Sequence, residues 1–495
     1  MKKIFALLLV VFGMFFVFGC KKPKTPEPEP TPTVEPKPST EPVVTPTPVN
    51  PTTPVATPTD LFEKSEGVMT YAEYAAAELD SPVVIEAFIQ ATQTFNPAYG
   101  NITLYLADNE GAYFVYRMVA DQDLVDKCTT GAKVRVTGTK SEWSGEVEIT
   151  NATIEFLDGS YVFEAKDCDI LGADLIESQN QYVYINDLVV LDKGDGAAFL
   201  YKHNGSGSHE ENSDLYYDVC YGGKLFTFVV ESDLCDNTTA VYAAVEELEV
   251  GDVINVEGFL YWYEDAQLHT TKVTKTGNIN TKSEGVMTYE EFQAAELDSN
   301  VVIEAYIQDG QVFNPAYNNL TLYLADASGA YFVYRAPATQ EDADKCLSGA
   351  KVRVTGRKAE WSGEVEIADA TLEFLEGDGF IAPAKDVTKE EEWGKFANQL
   401  VMIKGLVVAD KGDGAAFLYR DNGSGSHEEN SDLYYDVVLG ENKYTFVVES
   451  DLRGNMTEVY AAVENLKVGD VITVIGYMYW YENPQVHTIQ IIVEK

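Results

Sequence analysis

The chain has 495 residues, 80 of them acidic and 35 basic, for a formal net charge of −45. That field repels nucleic-acid phosphates and anionic lipid head groups, and favours solubility, cations and neutral ligands. With 45% hydrophobic and 12% aromatic residues the chain can bury several cores.

The chain opens on Met1-Lys2-Lys3, followed by an apolar run from Ile4 to Phe18 that ends Val17-Phe18-Gly19-Cys20. The run is short for a membrane span and the right length for the core of an export signal. A small residue before a cysteine at this place resembles the lipobox of bacterial lipoproteins. The resemblance implies cleavage before Cys20, lipidation of Cys20 and a folded part held outside the cytoplasm, lipid-anchored to the cell membrane and displayed at the cell surface. Residues 21–62 read as a disordered, proline-rich tether; 13 of the 19 prolines fall between Lys21 and Asp60. Such a stretch cannot bury a core, and at about 3.1 Å per residue it would reach on the order of 120 Å.

Beyond the tether the sequence repeats itself at an offset of 218 residues. Ser65–Tyr71 recurs as Ser283–Tyr289, Phe95–Tyr99 as Phe313–Tyr317, Trp143–Ile149 as Trp361–Ile367, and Asn204–His209 as Asn422–His427. Each unit divides into two halves with the same predicted order. In the first half a capping box, Thr70-Tyr71-Ala72-Glu73, opens a helix through Leu79. A strand at 83–90 follows, then a hairpin of 104–106 with 113–116, a helix at 121–128, an alternating strand at 133–138, a loop with Trp143, and a last strand at 146–149. The second half predicts a strand at 182–191, a hairpin of 216–220 with 225–230, a helix at 239–248, a strand at 254–258, a loop with Tyr261-Trp262-Tyr263, and a strand at 268–273.

Three strands, a helix and two strands is the order of the OB-fold, a five-stranded Greek-key barrel. The runs Gly131–Gly138 and Glu142–Ile149 resemble the fourth and fifth strands of OB-type domains in secreted, nuclease-associated bacterial proteins. The fold expected is all-β with short helices: four tandem OB-fold-like barrels after the signal (1–20) and tether (21–62), at 63–165, 166–280, 281–383 and 384–495.

Alternation points Val134, Val136, Val147 and Ile149 inward and sends Lys133, Arg135, Glu146 and Glu148 outward as solvated cross-strand charge pairs. The loop between strands four and five binds ligands in OB-folds, and every barrel carries a tryptophan there. Trp143, Tyr261, Trp262, Tyr263, Trp361, Tyr479, Trp480 and Tyr481 are therefore the candidate ligand-binding residues. Flat rings stack on sugars or bases; the alternative is that each tryptophan plugs its barrel. Two acidic loops, with Asp192, Asp195, His209, Glu210 and Asp214 in one copy and Asp410, Asp413, His427, Glu428 and Asp432 in the other, are candidates to hold a divalent cation such as calcium, or are plain solvated loops. Beyond that cation no cofactor is expected. Five cysteines remain after Cys20, an odd number that argues against a complete disulfide framework; Cys220 and Cys235 could pair.

The chain shows no catalytic motif. The reading is a membrane-anchored, surface-exposed, non-catalytic binding lipoprotein. Its partners are expected to be the bilayer through acylated Cys20 and a carbohydrate or surface protein, with nucleic acid disfavoured by charge. The alternatives are a nucleic-acid-binding OB protein and a spacer that holds barrels away from the membrane.

Overall fold

The structure is a computed structural model that describes residues 61–377 and 379–494. Cys20 and nearly all of the tether lie outside the described residues. The described chain holds four OB-fold-like barrels in tandem. In the first, β1 (Pro82–Thr92), β2 (Asn101–Ala107), β3 (Ala112–Val119), β4 (Ala132–Trp143) and β5 (Glu146–Ser160) close in the order β1-β2-β3-β5-β4. The second contains β6 (Lys166–Asp167), β7 (Tyr182–Val190), β8 (Phe199–Tyr201), β9 (Leu215–Tyr221), β10 (Lys224–Val230), β11 (Asp252–Tyr263) and β12 (Asp265–Asn278). Its order is β6-β7-β11-β12-β10-β9-β8, and pairing of β7 with β9 closes five of these strands, leaving β6 and β8 at the edges. Residues 300–375 and 385–493 repeat both arrangements.

The helices are shorter than the sequence predicts: Tyr71–Ala76, Gln122–Val125 and Ala240–Glu246. The Thr70–Glu73 capping box forms as expected. The helix ends early because the buried Lys140 donates to the carbonyls of Tyr74, Ala75 and Ala77 at 3.0, 2.8 and 2.9 Å, satisfying groups that another helical turn would have used. Lys358 repeats this cap on Phe292, Gln293 and Ala295.

Val134, Val136 and Ile149 are buried in the first barrel, with Val147 packed at its margin. Arg135 points outward but pairs with Glu86 and Glu155, at 2.7 and 2.8 Å. The expected charge partners Glu146 and Glu148 are both buried. Their side of the strand faces the neighbouring barrel, so outward here does not mean solvated.

Barrels one and two form a tight pair. Tyr105 stacks on Phe259 with ring centroids 4.4 Å apart, and Phe114 and Tyr261 complete the cluster. Trp262 N donates to Glu146 Oε2 at 2.9 Å, and Glu264 N to the Ser144 carbonyl at 2.7 Å. Barrels three and four reproduce the pairing: Tyr323 stacks on Tyr477 at 4.1 Å, and Trp480 N donates to Glu364 Oε2 at 2.8 Å. A different contact joins the pairs. Val189, Cys220 and Val253 of barrel two pack with Ile279 and with Tyr306, Ala325, Ala330 and Phe380 of barrel three. There the Cys220 thiol donates to the Ile381 carbonyl at 3.1 Å. Cys128, Cys168, Cys220, Cys235 and Cys346 are all free thiols.

Candidate functional site

The aromatic residues singled out by sequence do not lie in loops. β4 runs through Trp143 and β11 through Tyr263, so they sit at the tips of strand hairpins. The turn after Trp143 is only Ser144-Gly145, at φ +52° and +93°, the left-handed backbone of a tight hairpin turn. Gly145 is needed twice over. A Cβ there would also stand 2.8 Å from Trp262 Cδ1, because the second barrel lays Trp262 on this turn.

The strand period then sorts the triplet. Tyr261 and Tyr263 share one face of β11 and Trp262 takes the other. Trp262 is half-buried against its own barrel core. Tyr261 is buried between the barrels. Tyr263 is 47% exposed, its ring 5.3 Å from that of Trp143, itself 55% exposed. In the second pair Tyr479 is packed near Phe332, Trp480 lies over Gly363, and Trp361 and Tyr481 are exposed.

Trp143, Tyr261 and Tyr263 line a cleft of ≈ 750 Å³ between barrels one and two, together with Tyr116, Arg117, Tyr216, Glu231, Asp233 and His269. A bulge between β2 and β3 places Arg117 at φ +48° and turns its guanidinium over the Tyr116 ring, 4.8 Å from the centroid. Arg335 does the same on Tyr334. At the floor, His269 stacks on Tyr261 at 4.1 Å, and its Nδ1 is 2.7 Å from the Tyr105 hydroxyl. Burial pushes the His269 imidazole down to about 3, so it is neutral. Burial, with Asp214 and Asp233 nearby, pushes Glu231 up to about 8. Burial also lifts Glu146 to about 8. Both carboxyls therefore carry a proton at neutral pH. Tyr323, His487, Glu449 and Glu364 repeat the arrangement, with the Tyr323 hydroxyl 2.6 Å from His487 Nδ1.

The acidic loop residues are not brought together. Asp192 Oδ1 accepts from the amides of Gly194 and Gly196, at 2.7 and 3.0 Å, while Asp195 occupies the same turn at φ +52°. His209 Nδ1 is 2.9 Å from Glu246. Glu210 is exposed and held below the usual carboxylate range by backbone and Ser208 hydrogen bonds. Asp214 accepts from the amide and hydroxyl of Ser232, at 2.8 and 2.6 Å. Asp410, Asp413, His427, Glu428 and Asp432 repeat these roles. Among the described residues no three His, Cys, Asp or Glu side chains are grouped to hold a metal ion.

The chain matches no family model and no curated protein. Among solved structures it resembles the HINa domain of Ifi202 in complex with 20-bp double-stranded DNA, at 13% identity, covering 40% of this chain and 97% of that one, with a TM-score of 0.19. It also resembles a replication protein A heterotrimer bound to single-stranded DNA (9% identity, 63% and 94% covered, TM-score 0.17) and the tetrameric p202 HIN2 (13%, 39% and 95%, 0.15). Likeness of this degree says nothing of what this chain binds.

The ranking of ligands drawn from composition is corrected here. It put a carbohydrate or surface protein first and nucleic acid last. The physical error lies in using net charge. That number belongs to the whole chain, while the cleft is lined by Arg117 and by Glu231, whose carboxyl burial pushes up to about 8.

Proposed function

We propose that the chain is a non-catalytic binding protein whose paired barrels stack unpaired bases of single-stranded nucleic acid on their exposed rings. One observation carries the reading: an aromatic cleft with an arginine over a tyrosine lies between barrels one and two, and the same rings and arginine recur in the second pair. Exposed rings at a barrel edge suit bases, since every base has a π-face. Stacking asks nothing of the phosphates, which an acidic chain would hold outward.

This mode has its own signature. Binding that neutralises phosphates weakens by orders of magnitude between about 50 and 200 mM salt. Here affinity should stay flat or rise over that range, because salt screens the repulsion between chain and phosphate. Trp143→Ala and Tyr263→Ala should each weaken binding of a thymidine hexamer by roughly 10- to 100-fold, the worth of one stacked base. Fluorescence anisotropy measures both effects. Loss of affinity with salt at the steep phosphate slope, or unchanged binding by both variants, would remove the reading.

The expected setting is outside the cytoplasm, with Cys20 as the lipid anchor. Its support is the apolar run that ends in Gly19-Cys20. Cys20→Ala should leave the precursor uncut or move the protein from the membrane to the soluble fraction. Normal processing with full membrane retention would refute the anchor.

A further inference from the structure

The base-stacking reading leaves the cleft floor unexplained. His269 is 3% exposed, yet its Nε2 has no hydrogen-bond partner, and the same holds for His487. A buried polar atom without a partner is costly and calls for an account. Nδ1 faces the Tyr105 hydroxyl, and the Gln93 amide donates to that same oxygen at 3.4 Å, so the phenol proton is directed to Nδ1. The imidazole hydrogen then sits on Nε2. Glu231 Oε1 is 3.9 Å away, too far for a hydrogen bond with it. The floor thus holds an N–H and a carboxyl side by side, on two residues that line the cleft, and neither is engaged with the other.

We propose that this floor reads the pairing edge of one unpaired base and selects cytosine, an inference that rests on the stacking reading above. The match is one of hydrogen-bond order. A protonated carboxyl beside the His269 N–H gives donor, donor, acceptor. Cytosine presents O2, N3 and its exocyclic amino group, which is acceptor, acceptor, donor. Thymine, adenine and guanine do not present that order. If Glu231 ionises, the floor becomes donor, acceptor, acceptor, which suits the O6, N1–H and amino edge of guanine.

Glu231 is kept as the neutral acid by burial and by the groups around it. Asp214 and Asp233 repel a charge, His269 is neutral, and Tyr105, Tyr216 and Tyr261 are phenols held protonated. Arg117 is the cation of this wall, and it acts on Asp233 and Glu148. In the second pair Glu449 faces Asp432, Asp451 and the neutral His487, and Gln311 reaches Glu449 Oε2 at 3.5 Å.

The test uses the folded chain and a thymidine hexamer carrying one central cytosine, adenine, guanine or thymine. Near pH 6.5 the cytosine hexamer should bind at least about tenfold more tightly than the other three, the discrimination of one good bidentate contact. Near pH 9 the preference should pass to guanine. Glu231→Gln together with Glu449→Gln keeps a donor beside an acceptor at every pH, so it should retain the cytosine preference and abolish the switch. His269→Phe with His487→Phe keeps the rings and should erase the cytosine preference. Equal binding of all four hexamers would overturn this inference and leave the stacking reading intact; no binding of any hexamer would take both down. A cytosine preference that survives the double His→Phe change would also overturn it.

Discussion

Raising the pH from about 5 to about 9 should lower the melting temperature of the intact chain steeply, and Glu146→Gln with Glu364→Gln should remove about half of that slope. Both glutamates are fully buried between paired barrels, and burial lifts both to about 8. Their orphaned atoms point the same way. Glu146 Oε1 and Asn180 Oδ1 both lack partners, as do Glu364 Oε1 and Asn398 Oδ1, and each Asn lies at its Glu. A proton on the carboxyl would supply the missing donor to each acceptor.

The folded state therefore keeps protons that the unfolded chain has released. Stability from these groups is complete below the ordinary carboxylate range and is lost as pH rises through about 8, at about 1.4 kcal/mol per pH unit and group. Glu231 and Glu449 behave alike, which is why only part of the slope goes. General repulsion in an acidic chain acts in the same direction but is nearly untouched by two neutral replacements. An unchanged slope in the double variant would show that repulsion alone sets it.

Tyr105→Ala should be among the most damaging single changes to the first pair, at about 3–5 kcal/mol for a large ring deleted from a packed site. The ring is fully buried, stacks on Phe259, lies 5.1 Å from Phe114, and holds His269 by its hydroxyl. Because Phe259 and His269 belong to the other barrel, the loss should also split the calorimetric unfolding of barrels one and two into separate transitions. Tyr105→Phe keeps the ring and should cost only about 1–3 kcal/mol, for the hydrogen bond and the His269 nitrogen it strands. Trp143→Ala, at an exposed tip, should stay within about 0.5 kcal/mol of the parent. A Tyr105→Ala protein that melts as one unit near the parent temperature would contradict the pairing.

The barrel order and the duplication were legible because both rest on local signals: alternation in Lys133–Gly138 and near-identical words 218 residues apart. The short helices were overextended because their ends are set by Lys140 and Lys358, distant residues that no periodicity exposes. Trp143 and the Tyr-Trp-Tyr triplet were found as ring clusters, but Trp-Ser-Gly hid a two-residue turn and the rings were assigned to loops. Glu146 was misread because alternation tells which side of a strand a residue takes, and not what covers that side. His269 stayed invisible for a related reason. Leu268, His269 and Thr270 are all buried, so both faces of β12 are covered, and only the assembled pair shows by what. Tyr105, Arg117 and Glu231 carry no sequence signal beyond their recurrence as Tyr323, Arg335 and Glu449.

Cys220 makes the contact between the two pairs readable by chemistry. Its thiol is buried against barrel three, donates to Ile381, and is pushed up to about 12 by burial, so a thiol reagent cannot attack it while the contact is closed. The matching position in barrel four is Val438, which leaves one such thiol per chain at this type of face. The rate of Cys220 alkylation is then a clock for separation of the pairs. Timed against denaturant, it distinguishes a chain that opens at its waist from one that melts whole.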